Sequence, residues 1–291
     1  MSTFLISAVQ LALCLVPMAM GIFITMKVFG IPDITTDGSY TLGATVTAVM
    51  MSNHMPLWMV MPMSMAAGAI AGSITGFIHT KFNIDALLSG ILVMTALYSV
   101  NLMIMGRSNI PLIDIETLFQ FISISENQTI NALFVTVLLV LILYFLLIYL
   151  LKTDFGISMR ATGNNPIMTK SLGVNNDKIK IIGLAMSNAL TAMSGFLVAQ
   201  YQGFADINMG IGIVITGLGS VLIADALKKA FRIQKIGYQI LFLIIGSVMF
   251  QQVLAITLSL GTDPALLKMV TASFVLIIVA LPGIHKRYSK N

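Results

Sequence analysis

Apolar residues run along this chain in long, nearly unbroken blocks instead of at the spacing of an amphipathic surface helix. The blocks fall near 4–26, 39–53, 57–79, 85–105, 131–151, 180–202, 210–227, 237–259 and 268–283, with short polar punctuation between them. A helix needs about 20 such residues to cross roughly 30 Å of hydrocarbon. The pattern therefore predicts an all-α, polytopic bundle of about eight or nine membrane spans, with residues 1–291 forming a single transmembrane domain. The second block is short, which predicts a tilted or partly re-entrant segment.

Composition agrees: 57% of residues are hydrophobic and 9% charged, and the mean hydropathy is +0.96. A soluble domain carries about 25% charged residues, so lipid is the main solvent here. The first block, from Phe4 to Met26, has neither a basic flank before it nor a small-residue cleavage site after it, and reads as a retained span. Its Cys14 is the sole cysteine, which excludes an internal disulfide.

The net charge of +5 carries topology, not a nucleic-acid footprint, and no nucleic-acid partner is expected. With the C-terminus cytoplasmic, Lys27, Lys81, Lys152, Arg160, Lys170, Lys178 and Lys180 share one side with Lys228, Lys229, Arg232, Lys235, Lys286, Arg287 and Lys290. Only Arg107 and Lys268 fall on the other. The positive-inside rule then places the N-terminus outside for nine spans.

Three features change the picture further. Gly68, Gly72 and Gly76 recur every four residues, a row that lets helix backbones approach closely in lipid; it serves either internal packing or a moving gate. The stretch from about 152 to 180 is the longest polar segment on the inner side. Within it, Asn164-Asn165-Pro166 offers caps and a first-turn proline, Ile167 to Leu172 can form a short helix, Gly173 fits its end, and Asn175 to Asp177 can cap the next span. That reads either as a rigid knob for a partner's groove or as a solvated loop. Gly163 with Lys170-Ser171 is no phosphate-binding loop, because Thr169 stands where a glycine is needed.

Charges within or beside the apolar blocks are few. Asp33 and Asp37 flank Pro32 and Thr35-Thr36 in a stretch that reads as too polar and punctuated for a continuous helix. Discontinuous helices line transport sites, but Lys27 nearby also fits a connection at the inner surface. Asn188 and Gln200 sit in apolar surroundings and must bond a neighbouring helix or a solute. No metal-ligand spacing and no nucleophile–base set can be assembled, which argues against an enzyme.

From Phe155-Gly156-Ile157-Ser158-Met159-Arg160 through Ala161-Thr162-Gly163-Asn164-Asn165-Pro166 to Ser171-Leu172-Gly173-Val174, the chain resembles the cytoplasmic coupling segment of ABC importer permeases. The group is the one serving branched-chain amino acids, ribose and nucleosides. Phe29 to Ala44, Gly90 to Arg107 (with Ala96-Leu97-Tyr98-Ser99) and Gln200 to Gly212 resemble, more narrowly, its tryptophan/tyrosine-type permeases.

The resemblance implies a bacterial plasma-membrane permease. ATPase subunits carrying ATP and magnesium would lie below it, a solute-binding protein outside, and a second permease copy beside it. This chain itself would hold no cofactor. Gly156, Arg160, Ala161, Thr162, Gly163, Asn164, Asn165, Pro166 and Gly173 would engage the ATPase. Asp33, Thr35, Asp37, Ser39, Asn188 and Gln200 are the candidates for path or gate, and an amino-acid-like, aromatic solute is the first expectation for cargo. Ala224-Asp225 departs from the glycine and glutamate of the family. An ion-coupled carrier or channel without an ATPase is the alternative; it would favour acids at mid-membrane.

Overall fold

The computed structural model describes residues 2–113, 115–121, 128–261, 263 and 266–288; Lys290, one of the charges used above, lies outside them. The described chain is all-helical apart from one short ribbon. Its elements are α1 (Ser2–Phe23), continued by a π-helical turn (Ile24–Phe29), then α2 (Thr35–Ser52), α3 (Leu57–Lys81) and α4 (Ala86–Met105). After them come β1 (Asn109–Pro111), α5 (Leu118–Phe121), α6 (Gln128–Lys152), α7 (Asp154–Asn164), α8 (Pro166–Ser171) and α9 (Asn176–Gln202). The chain closes with β2 (Phe204–Asp206), α10 (Ile213–Phe231), α11 (Ile236–Ser259) and α12 (Leu267–Tyr288). β1 and β2 pair antiparallel, Ile110 opposite Ala205, and tie the ends of α4 and α9 together.

Every apolar block of the sequence is helical. Among the described residues, six helices are long and apolar enough to cross a membrane: α1 with its π-helical end, α3, α4, α6, α9 and α11. α2 is different in kind. It is rich in Thr, Ser and Gly, and nearly all of it is buried, because α9, α3 and α4 sheathe it. Protein, not lipid, solvates its polar side chains, so it needs no apolar surface.

The break expected around Asp33 is present but shorter than the sequence suggests. Thr35, Thr36 and Asp37 belong to the first turn of α2, and the helix continues unbroken to Ser52. The break is confined to the residues between Phe29 and Thr35, where Gly30 takes a left-handed conformation (φ 68°). The polar side chains start the helix instead of interrupting it: the Thr35 N–H donates to Asp33 Oδ1 (2.9 Å), and the Thr36 hydroxyl donates to the Asp33 carbonyl (2.9 Å).

The core gathers around α9, which packs on α1, α2 and α3. These contacts are made at backbone distance. A Cβ on Gly68 or Gly72 would strike the carbonyl of Asn188 or Leu184, and one on Gly76 would lie 2.8 Å from the Ile181 Cα. Gly43 and Gly195 do the same between α2 and α9, against Ala192 and Tyr40. Of the two uses open to the glycine row, the structure shows internal packing against α9. Pro17 lies within α1 and has no N–H to give the helix ladder, and the neighbouring Met18 N–H donates to Ser194 Oγ on α9 (2.8 Å).

Replacing Gly72 with leucine forces α3 away from α9. Overpacking of this kind costs about 1–3 kcal/mol or more, so Gly72→Leu should lower the thermal unfolding midpoint of the detergent-solubilised protein. Ile70→Leu, on the exposed face of α3, should leave that midpoint in place.

Candidate functional site

Two groups of sequence-selected residues come together in space, and they do so separately. The first is a buried polar cluster where α1 gives way to α2. Asp33 Oδ2 accepts from Asn188 Nδ2 on α9 (2.7 Å) while Oδ1 serves Thr35. The Thr35 hydroxyl in turn pairs with that of Thr75 on α3 (2.8 Å). Asp33, Thr35 and Asn188 thus bolt the break to two packed helices, and all three are buried.

Asp37 faces another way. Its two oxygens accept from the N–H groups of Gly212 (2.8 Å) and Val214 (2.9 Å) at the start of α10. A carboxylate is well placed there, since the first N–H groups of a helix lack internal partners and the helix dipole favours negative charge. The loop before α10 comes close enough that a Cβ on Gly210 would overlap the Asp37 carbonyl.

Ser39 and Gln200 stand apart from both acids. The Ser39 hydroxyl is buried and has no hydrogen-bond partner among the described residues. Gln200 is also buried, and its Oε1 accepts from the Leu118 N–H (2.7 Å), fastening α9 to α5. The sequence does not show that Lys27, on the π-helical turn, meets Asp225 of α10 in an ion pair. Both side chains are about a third exposed, 35% and 26%, so the pair contributes at most about 1 kcal/mol.

The second group is the segment from 152 to 180. Instead of a loop holding one helix, it is a pair of helices. The Thr153 hydroxyl caps α7 by accepting from the Gly156 N–H (3.3 Å), and the Asn165 side chain caps α8 by accepting from the Met168 N–H (3.0 Å). Pro166 opens α8, and Gly173 follows it with φ 83°. Asn175 caps α9, accepting from Lys178 N–H (3.1 Å).

The glycines of α7 are contact surfaces, which is why the segment reads as a loop in sequence but folds as a helix. Gly156 lies against the end of α6, and Gly163 against the Val28 carbonyl in the π-helical turn. Asn176 joins the pieces: its Oδ1 accepts from the hydroxyls of Thr162 (3.3 Å) and Thr169 (2.9 Å), and its Nδ2 donates to the Pro166 carbonyl (2.6 Å). Arg160 is half-buried, with Nε donating to the Gly156 carbonyl (3.4 Å). Ala161 lies within α7 and accepts at its carbonyl from Asn165 N–H, while Asn164 ends α7 exposed. Beyond them α8 leaves Ile167, Met168 and Leu172 exposed at 79%, 59% and 70%. These three apolar residues share the exposed surface of the segment with Asn164, Asn165, Pro166 and Gly173, which the sequence singles out.

Residues 4–280 match the family described as branched-chain amino acid transport system / permease component, and the chain belongs to that family. Over 99% of its length it is 41% identical to a tyrosine transport system permease protein of Clostridioides difficile, covering 94% of that protein. It is 32% identical to an uncharacterized protein of Rickettsia prowazekii across 97% of this chain and 98% of that one. Similarity to a ribose import permease protein of Haemophilus influenzae is 25% across 78% of this chain and 70% of the relative. No solved structure matches the chain. Family and helices together make it a permease subunit, multi-pass in the inner membrane.

Asp37→Asn keeps the shape of the side chain but sets an amide N–H₂ against one of the two α10 donors. Leaving a buried donor unsatisfied costs about 1–3 kcal/mol, read as a lower unfolding midpoint in detergent. Ser39→Ala removes a hydroxyl that holds no partner and should leave the midpoint unchanged or higher.

Proposed function

We propose that the chain is the membrane-spanning subunit of an ATP-driven importer for a small, amino-acid-like solute, with an aromatic amino acid as first choice. The observation that carries this reading is the α7–α8 knob. A short, doubly capped helix offers Ile167, Met168 and Leu172 to a partner, and α7 behind it bears on the π-helical end of α1 at Val28. Exposed apolar residues on a rigid support are what a groove in another protein needs. The aromatic choice follows from likeness to the tyrosine transport system permease.

In this reading residues 1–291 act as one permease domain crossing the bilayer nine times, with the N-terminus outside and the C-terminus in the cytoplasm. α2 and α10 are the crossings that protein shields, and the clustered lysines and arginines set the direction. Two ATPase subunits would carry ATP and magnesium and do the catalysis, and the permease would be non-catalytic. A solute-binding protein would deliver cargo outside, and a second copy would complete the path. The residues from Gly156 to Gly173 are the proposed coupling surface, with Asp33, Thr35, Asp37, Ser39, Asn188 and Gln200 holding the path and gate in shape.

An ion-coupled carrier fits less well. Such a carrier needs an acid free to exchange its proton or ion, whereas Asp33 and Asp37 are each held by hydrogen bonds from other elements.

The tagged permease, extracted mildly from its native membrane, should bring down an ATPase. The double variant Ile167→Asp/Leu172→Asp should weaken that capture at least about tenfold, as expected when the centre of an interface is lost, and Arg160→Glu should weaken it to a lesser degree. Capture of the permease with no ATPase under several extraction conditions would move the reading to the ion-coupled carrier.

A further inference from the structure

α4 packs chiefly on α2 and α3, and the rest of its surface is mostly apolar but carries a polar strip that lipid alone does not explain. Its ends carry exposed Leu87, Leu88, Met103 and Ile104, as a lipid-facing helix should. Its middle carries Thr95, Tyr98 and Ser99, all exposed beside Ile91, Leu92 and Val100; the Thr95 hydroxyl donates to the Ile91 carbonyl (2.8 Å). Tyrosine in membrane helices belongs at the water interface, where its hydroxyl stays wet; at mid-span it needs a polar neighbour or water. Tyr98 and Ser99 also belong to one of the motifs quoted for the family resemblance, which neither the coupling surface nor the buried acids account for.

These side chains border a cavity of about 360 Å³ between α2, α4 and the segment that leads into α10. Its wall is mostly apolar, with Met94 on α4 and Ile211 on the segment before α10, and its polar groups are Asp37, Thr41, Asn101 and the α4 hydroxyls. Asn101 is buried, donates through Nδ2 to the Gly38 carbonyl (3.3 Å), and has no partner at Oδ1 among the described residues. Each Asp37 oxygen accepts one backbone N–H from α10, and a carboxylate oxygen has a second lone pair to offer. A mostly apolar recess with a few convergent acceptors is the usual form of a small-molecule site.

We propose that this cavity is a mid-membrane station of the solute path, wet when empty. It would take a small solute with an ammonium or hydroxyl donor at the Asp37–Asn101 end and an apolar body along Met94 and Ile211. The proposal rests on the permease reading and names within it a wall that the buried acids alone do not supply.

Thiol accessibility tests it, because the chain's sole cysteine, Cys14, is fully buried and Cys14→Ala gives a clean background. Thr95→Cys, Ser99→Cys and, as a lipid-facing control on α3, Ile70→Cys would be made in the full transporter reconstituted in liposomes. A charged methanethiosulfonate needs the thiolate, which forms in water and is suppressed in apolar surroundings. The two α4 variants should react at least about tenfold faster than Ile70→Cys, and saturating tyrosine should slow them severalfold. Reaction no faster than the control would mean that lipid covers the cavity and would overturn the proposal. So would disulfide linkage of Ser99→Cys to a second copy in every nucleotide state, which would make the face a fixed subunit contact. Fast labelling that neither tyrosine nor other amino acids slow would overturn the solute station while leaving the recess wet. ATP-driven uptake by the Cys14→Ala transporter, measured in the same liposomes, tests the permease reading separately.

Discussion

Backbone contact around α9 is the constraint on which the other features depend. α1, α2 and α3 each meet this helix where a glycine or a proline-loosened turn removes what would separate them, at Gly21, Gly43, Gly68, Gly72 and Gly76. In lipid there is no hydrophobic gain in driving helices together, so van der Waals contact and interhelical hydrogen bonds do the work. Close approach enlarges both. It brings Asn188 within reach of Asp33 and the Ser194 hydroxyl within reach of the Met18 N–H. The polar bonds of the bundle interior are thus a consequence of the small residues, not an independent source of order.

The acids then fix the ends of elements that the glycine contacts do not reach. Asp33 starts α2 and holds it to α9, while Asp37 supplies the negative end that α10 requires. Farther along α10, Asp225 meets Lys27 on the π-helical turn. α10 is therefore held at its start by the first turn of α2 and farther along by the π-helical turn that ends α1. The π-helical turn also receives α7 through Gly163 at Val28, so the cytoplasmic knob and the Asp225 end of α10 share one support.

Much of this was legible in the sequence where the signal is local. Apolar block length gave the helices, since crossing a fixed thickness needs a fixed number of residues. The four-residue glycine spacing predicted a close helix contact, and Asn165, Pro166 and Gly173 marked the limits of α8 because capping is set by near neighbours. What was lost is long-range. Asp37 meets Gly212 across 175 positions, and Lys27 meets Asp225 across 198, with no periodic pattern to announce either pair. Polarity overstated the length of the break, which ends at Thr35, and it concealed α7, whose glycines are contact surfaces. The hydroxyls of α4 were hidden by averaging, since three polar residues barely alter the hydropathy of a 20-residue span.

The nearly complete burial of α2 has a consequence for biogenesis. A helix so rich in Thr, Ser and Gly has little reason to leave the insertion machinery for lipid by itself, because the bilayer rewards apolar surface and this helix carries little. Its neighbours α3 and α4 follow at once in the chain, but α9, which covers its longest face, is synthesised much later. Until then α2 is a polar helix waiting for its sheath. Membrane assembly of this protein therefore has an order, in which the centre of the bundle settles only after the chain has been made as far as Gln202.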